Sequence, residues 1–302
     1  MLCGALIVAA GKPQGTDPLD TIGSITVAQR IISVLRQAEI MRIAVVTGYN
    51  AFNLEKHLAS NNIVFLRNNR YDKTQMFDSI KLGIEYMKDK VDALVISPMD
   101  VPLFTSSTVR KEMASEKSVV IPVCGGRTGH PVFIRAEAFD SILCYQGTDG
   151  LRGALKCIES ETEYLPVDDR GVNVSQLGAE TASLLDEHNE SLLRPVLQIS
   201  VAKEKCFLDE QMSMLLMLIS ETGSVREACE RMQISYSSAW NRIKTLESQL
   251  SHPLIERVQG GAKNGRSRLT DYGRKLLYSF GEYAARMREY SLEIFDDYFS
   301  DI

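Results

Sequence analysis

Apolar and polar positions change rhythm along this chain in a way that predicts two kinds of architecture. Short β-branched and aliphatic runs at Gly4 to Ala9, Arg42 to Thr47, Ile63 to Leu66, Ala93 to Ser97 and Val119 to Val123 read as strands. Longer amphipathic stretches separate them and predict helices over Ser24 to Ala38, Asn53 to Ser60, Met76 to Lys88 and Ser106 to Ser115. In the first of these, Val27, Ile31, Ile32, Val34 and Leu35 form one apolar face. This alternation is the pattern of an α/β fold, a mostly parallel sheet with flanking helices. Two further helices are expected over Ala136 to Leu143 and Gly150 to Ile158, then an extended Thr162 to Val167 and a polar helical segment around Gln176 to Glu190.

Arg194-Pro195 interrupts the pattern, and Val196 to Lys203 reads as a strand entering a second region. The expected division is therefore 1–195 and 196–302, with no internal repeat or low-complexity segment. In the second region the spacing predicts a helix over Asp209 to Ser220, with Met212, Leu215, Leu216 and Ile219 on one face. Gly223 punctuates its end and Ser224 caps the next helix, Val225 to Met232. Gln233-Ile234-Ser235 is a tight turn before Tyr236 to Gln249, whose Ala239, Ile243, Leu246 and Leu250 point inward. The region is thus mainly α, with a helix-turn-helix arrangement.

Composition narrows the class. The 302 residues exceed the usual size of one hydrophobic core, and 24% charged with 44% apolar residues is ordinary for a soluble globular protein. The opening Ala5 to Ala10 run is too short for a signal peptide core, and no apolar run reaches the length of a membrane span, so a cytoplasmic location is expected. Six cysteines, Cys3, Cys124, Cys144, Cys157, Cys206 and Cys229, stand singly and signal neither zinc nor a disulfide framework.

The formal net charge of -5 repels a polyanion, so a nucleic-acid surface has to be a local patch. From Arg231 to Lys275 nine Lys or Arg (Arg231, Arg242, Lys244, Arg257, Lys263, Arg266, Arg268, Arg274, Lys275) face three acids (Glu247, Glu256, Asp271), a surplus of six. A helix that enters a major groove exposes short polar and basic side chains at its N-terminal end. Ser235, Tyr236, Ser237, Ser238, Asn241, Arg242 and Lys244 fit that face, with Ser224 at the preceding cap. The glycine-rich stretch from Arg257 to Arg268, carrying Lys263 and Arg266, reads as a β-wing along a phosphate backbone. Double-stranded DNA is the expected partner. Trp240 reads as a core or interface residue, and the final helix, Tyr272 to Phe299, carries too many apolar residues for a solvated tail, which predicts a homodimer.

The run Thr222-Gly223-Ser224, Ala228, Ile234 to Trp240, Glu256-Arg257, Gly260-Gly261 and Leu269 to Gly273 resembles the N-terminal domain of molybdate-responsive repressors of the ModE type, relatives of LysR-type winged helices. The likeness spans about Leu208 to Glu289 and implies a winged helix-turn-helix that binds DNA.

A second resemblance covers about Leu2 to Val174. Val8 to Gly11, Val45 to Tyr49, Asn69 with Met76 and Ser79, Asp100-Val101-Pro102, Gly129-His130-Pro131, and Gly147 with Gly150 and Arg152 are similar in order to the MobA/MocA-like molybdopterin nucleotidyltransferases. That family implies a Rossmann-type fold that transfers a nucleotide from CTP or GTP to molybdopterin with Mg²⁺ held by carboxylates. The resemblance points to Ala9, Ala10, Gly11, Lys12, Thr47 and Gly48 at the nucleotide, Asp100 as a Mg²⁺ ligand or a strand-end cap, and Gly129, His130 and Pro131 on the substrate side, where His130 faces the pterin or braces its loop.

The chain departs from the family where charge is needed. The family's glycine turn continues with an Arg and a Lys that grip the triphosphate, and here those positions fall on Gly15 and Asp20, while Pro13 has no amide hydrogen to offer. The late carboxylate motif is replaced by Gly171 to Gly178, which contains no acid, and Asp168 and Asp169 are expected on a solvated turn. Loss of each phosphate grip costs a transferase on the order of 3 kcal/mol of transition-state stabilisation. The expectation is a DNA-binding regulator whose first domain senses a nucleotide or molybdopterin ligand, with an active Mg²⁺-dependent transferase as the alternative.

Overall fold

The computed structural model describes residues 1–176, 178, 181–258 and 266–299, with 257, 258 and 296 described by their backbone alone. The chain forms two compact units, Met1–Leu58 with Ile63–Leu193, and Arg194–Ile302 with Ala59–Asn62.

In the first unit, β1 (Cys3–Ala9) is buried along its whole length because a central strand with both faces covered must be apolar throughout. A short hairpin, β2 (Thr21–Ile22) and β3 (Ile25–Thr26), leads into α1 (Val27–Gln37). The helix therefore starts later than the periodicity predicts. Gly23, at φ +68°, makes the hairpin turn, and Thr26 and Gln29 close a reciprocal cap, Gln29 N–H to Thr26 Oγ1 at 3.3 Å and Thr26 N–H to Gln29 Oε1 at 3.1 Å. Then follow β4 (Arg42–Thr47), α2 (Ala51–Leu58), β5 (Val64–Arg67), α3 (Met76–Met87), β6 (Ala93–Pro98), α4 (Ser106–Ala114), β7 (Val119–Cys124), β8 (Arg127–Thr128) and β9 (Val132–Arg135). The unit closes with α5 (Phe139–Cys144), α6 (Gly150–Lys156), β10 (Thr162–Pro166) and α7 (Ala182–Ser191).

Among the described residues the strands form one sheet in the order β10-β7-β9-β6-β1-β4-β5, with β8 on β7. Pairs β1/β4, β1/β6, β4/β5 and β7/β10 are parallel, and β9 is inserted antiparallel between β6 and β7. Three consecutive apolar residues, Val132 to Ile134, followed by Arg135, are too short a run to separate strand from loop, which is why β9 escapes the periodicity.

In the second unit, a hairpin of β11 (Ser200–Ala202) and β12 (Cys206–Asp209) precedes α8 (Glu210–Thr222), α9 (Val225–Met232) and α10 (Tyr236–Leu250). The strand expected over Val196 to Lys203 is reduced to its last part because only Ser200 to Ala202 finds a partner, β12. Met212, Leu215, Leu216 and Ile219 are all buried, and Gly223, in the left-handed region at φ +67°, ends α8 with its N–H on Ile219 O at 2.9 Å. Two strands, β13 (Ile255–Val258) and β14 (Arg266–Leu269), pair antiparallel before α11 (Asp271–Phe299). No helix among the described residues is long and apolar enough to cross a membrane.

Candidate nucleotide turn and nucleic-acid interface

At the carboxyl end of β1 the chain turns through Ala9, Ala10 and Gly11. Ala9 and Ala10 are buried, whereas Gly11 and Lys12 are exposed. A Cβ on Gly11 would meet nothing within 4 Å, so the turn faces open space. The register Val8↔Pro98 brings the end of β6 to the same sheet edge, with Asp100 just beyond it. Burial raises the Asp100 carboxyl above its ordinary range. Among the described residues no group of three or more His, Cys, Asp or Glu converges to hold a metal ion.

Thr47, expected at the nucleotide, lies instead in the interior. It is fully buried, and its hydroxyl donates to Glu55 Oε1 at 2.5 Å, while the same carboxylate accepts Arg67 through Nε at 3.2 Å and through Nη2. A buried carboxylate needs that many donors, and the threonine is consumed in supplying one. Gly48 also serves packing. A Cβ there would sit 2.5 Å from the Ala10 carbonyl oxygen and 2.7 Å from Tyr71 Cβ, and the next amide, Tyr49 N–H, donates to Ala10 O at 2.8 Å.

The two segments that depart from the transferase pattern meet each other. Thr16 Oγ1 donates to Ser175 O at 3.4 Å, and a Cβ on Gly15 would be 3.0 Å from the same oxygen. Asp17 accepts Leu19 N–H at 2.9 Å and Asp20 accepts Asp17 N–H at 3.0 Å, so both carboxylates are spent on their own turn. The small cleft beside Gly11 is walled by Pro13, Asp17, Tyr49 and Asn50, with no Lys or Arg in its lining. Lys12 is exposed on the turn beside Gly11.

On the substrate side, Gly129 leaves room for a backbone, since a Cβ would lie 2.5 Å from Val172 O. His130 N–H donates to that oxygen at 2.8 Å, and its Nδ1 is buried without a hydrogen-bond partner among the described residues. Burial pushes the imidazole down to about 4, so it is neutral at physiological pH. Pro131 lies in the buried part of this loop. Asp169 does not lie on a solvated turn. It accepts Thr105 N–H at 2.8 Å, Thr105 Oγ1 at 2.9 Å, Thr108 Oγ1 at 2.6 Å and Gly171 N–H at 3.0 Å, tying the start of α4 to the 170–173 turn.

In the second unit serines cap both helices of the helix-turn-helix, Ser224 as the sequence predicts and Ser235, which the sequence places only in the turn and on the groove face. Ser224 Oγ accepts Glu227 N–H at 3.2 Å and Ser235 Oγ accepts Ser238 N–H at 3.1 Å, which closes the first turns of α9 and α10. Beyond the cap, Tyr236, Ser237, Ser238, Asn241 and Lys244 are exposed on α10, while Ala239, Ile243 and Leu246 are buried. Trp240 is half-buried and meets the Tyr236 ring edge-on at 6.2 Å between centroids, and the Arg226 guanidinium lies 5.6 Å from the same Tyr236 ring. Arg226 lies just ahead of the Arg231 to Lys275 segment that the charge pattern singles out.

Arg242 differs from expectation. It is half-buried and ion-paired, Nη2 to Asp209 Oδ1 at 2.5 Å and Nη1 to Gln211 Oε1 at 2.8 Å. Arg231 pairs with Glu227 at 2.7 Å, Arg268 with Glu256 at 2.6 Å, and Arg274 with Asp271. Two of these acids, Asp209 and Glu227, precede the segment whose charge surplus was counted, so that surplus overstates the free positive charge. Arg266 and Arg268 are exposed on β14, Arg257 enters through the backbone of β13, and Lys263 with the rest of 259–265 lies outside the described residues.

Comparison with known proteins gives two families in the same order. Residues 213–274 match the bacterial regulatory helix-turn-helix proteins of the lysR family. The Haemophilus influenzae transcriptional regulator ModE is 30% identical over 95 residues, 32% of this chain and 37% of that protein. The Azotobacter vinelandii molybdenum transport protein ModE is 40% identical over 63 residues, 21% of this chain and 23% of that protein. The chain thus spans about a third or less of the length of these relatives. A solved nucleotidyl transferase from Methanothermobacter superposes with a TM-score of 0.53 at 17% identity, covering 63% of this chain and 98% of the other, a likeness of fold. Residues 5–164, more than half of the chain, match the MobA-like NTP transferase domain, and the chain belongs to that family.

Proposed function

We propose that this protein is a DNA-binding transcriptional regulator linked to molybdenum cofactor metabolism, in which the transferase-fold unit senses a nucleotide or molybdopterin ligand and α11 supplies a homodimer contact. The observation that carries the reading is the first two turns of α10, exposed and built from Tyr236, Ser237, Ser238, Asn241 and Lys244 over a buried opposite face. Side chains of that length and polarity suit the edges of bases in a major groove, and the exposed Arg266 suits phosphate. The names of the relatives matching this unit support the link to molybdenum. The sensing role draws on the cleft at Gly11, which is open but has no cation in its lining.

Retardation of promoter duplexes by the full chain, measured from dilute buffer to 0.2 M salt, tests the DNA reading. Binding should weaken steeply with salt, and Lys244→Ala and Arg266→Ala should each lower the slope by about 1. Absence of a retarded band in dilute buffer removes the reading. Calorimetric titration of the full chain with CTP, GTP and molybdopterin tests sensing, and heat-silent titrations with all of them remove it.

The second reading, an active Mg²⁺-dependent cytidylyl- or guanylyltransferase that also binds DNA, draws on the open space at Gly11 and on Asp100 at the same sheet edge. Mg²⁺ commonly takes one or two carboxylates plus the phosphates of its nucleotide, so a lone Asp100 leaves most of the coordination to the substrate. Pyrophosphate release from CTP or GTP in the presence of molybdopterin decides for it.

A further inference from the structure

Arg242 and Asp209 stand on different elements, 33 residues apart in sequence, yet form an ion pair at 2.5 Å. Asp209 does two things with one carboxylate. Its Oδ1 accepts Met212 N–H at 2.7 Å as the cap of α8, and the same oxygen accepts Arg242 Nη2. Gln211 Oε1 takes Nη1 at 2.8 Å. The guanidinium is therefore held at both terminal nitrogens by groups that are themselves anchored to the first turn of α8. Each terminal nitrogen carries a second N–H, so the fork keeps donors to offer after both contacts are made.

The place where it is held is a groove of about 620 Å³ between β12 and α10. Its wall on the helix side is Ser235, Ser238, Asn241 and Thr245, short side chains that leave the fork accessible. A cation used for phosphate affinity gains nothing from such a clamp. Its charge is offset by the carboxylate, and a long flexible side chain reaches a phosphate from many positions. A fork used to read a base gains a great deal, because two parallel hydrogen bonds to guanine O6 and N7 demand a fixed plane.

We propose that Asp209, with Gln211, is a positioning residue that presents the Arg242 guanidinium to a guanine in the major groove, so that this pair sets base preference while contributing little to general affinity. The inference rests on the DNA-binding reading of α10.

The test uses the full chain. A preferred duplex is selected from a random pool, and each G·C pair in it is replaced in turn by A·T. For the unaltered chain one G·C replacement should weaken binding by about 5- to 150-fold. In Asp209→Asn that penalty should shrink towards unity, while the affinity for unrelated duplex and the salt slope are kept or rise, since loss of the carboxylate uncovers the Arg242 charge. Asparagine caps a helix as well as aspartate, so α8 is preserved, and an unchanged thermal midpoint checks it. Arg242→Lys, which keeps the charge and loses the fork, should lose the same discrimination. The proposal is overturned if Asp209→Asn keeps full discrimination, or if Arg242→Lys does, or if either variant weakens all duplexes equally with a smaller salt slope. Failure of the unaltered chain to bind any duplex overturns the DNA reading and this inference together, whereas retained binding with unaltered base preference overturns this inference alone.

Discussion

His188 Nδ1 lies 3.1 Å from Arg30 Nη1, and His188 Nε2 lies 3.0 Å from the Phe104 carbonyl oxygen, with both side chains almost wholly buried in the first unit. A guanidinium only donates and a carbonyl only accepts, so the ring accepts at Nδ1, donates from Nε2 and is neutral. Arg30 completes the cluster through Asn189 Oδ1 at 2.8 Å and Ile22 O at 2.7 Å, which pins α7 to α1 and to the β2-β3 hairpin.

Burial is the main cause holding His188 below its ordinary value of 6.5. A histidine depressed in the folded state binds its proton more readily when unfolded, so its contribution is complete above pH 6.5 and is lost as the pH falls through the folded value. Urea unfolding of the unaltered chain and of His188→Gln between pH 7.5 and 5 should show the unaltered chain losing stability relative to the variant as the medium is acidified. A difference that stays flat with pH would mean that His188 is not buried as a neutral ring.

Glu112 titrates in the opposite sense. Both of its carboxyl oxygens are buried without a hydrogen-bond partner among the described residues. Burial first, and the nearby Asp169 second, raise it well above the ordinary carboxylate range. The folded chain therefore keeps a proton that the unfolded chain releases, and stability present below about pH 4.5 declines as the pH rises. Glu112→Gln should gain on the unaltered chain by up to about 1.4 kcal/mol per pH unit between pH 5 and 8, read from denaturant midpoints. No gain across that range would mean that the carboxyl finds a partner or water in solution.

Gly48→Ala tests whether the turn after β4 is a packing device. The added Cβ would meet the Ala10 carbonyl oxygen at 2.5 Å and Tyr71 at 2.7 Å, and backbone on one side gives little relief. A loss of about 1–3 kcal/mol is expected in equilibrium unfolding. The companion Gly11→Ala meets nothing within 4 Å and should leave stability within about 0.5 kcal/mol. Equal effects at both positions would refute the distinction.

Among the described residues of α11 one stripe is covered. Phe280 and Ala284 are buried, while Tyr278, Tyr283 and Tyr290 are 69%, 49% and 58% exposed, with Met287 also on the surface. Tyr283 and Tyr290 are seven residues apart and share a helix face with Met287 between them, the spacing of a helix-pairing seam. Tyr283→Glu with Tyr290→Glu should convert a dimer to a monomer in sedimentation velocity without changing helical content. A species of unchanged mass would place the dimer contact elsewhere.

What the sequence by itself determined is local in origin. Alternation and 3.6-residue periodicity marked β1, β4, β6 and β7 and the helices of both units, because a strand or helix buries a face whose pattern is written in consecutive residues. Caps and turns were equally legible: Ser224 closes a helix and Gly223 takes the left-handed φ by chemistry contained within a few positions. The groove-facing side of α10 was read from the spacing of its polar and basic residues, and the family resemblance pointed to the turn at Gly11. Tertiary structure alone decided where β9 lies, since its neighbours β6 and β7 are chosen by the sheet and not by its own four residues. It also decided which polar groups are free. Thr47 is sequestered by Glu55, which Arg67 also holds, Asp169 is taken by Thr105 and Thr108 more than sixty residues away, and Arg242 is taken by Asp209. A hydrogen bond or ion pair depends on distance in space, falling off within a few ångströms, and distances between residues far apart in the chain exist only once the chain has folded.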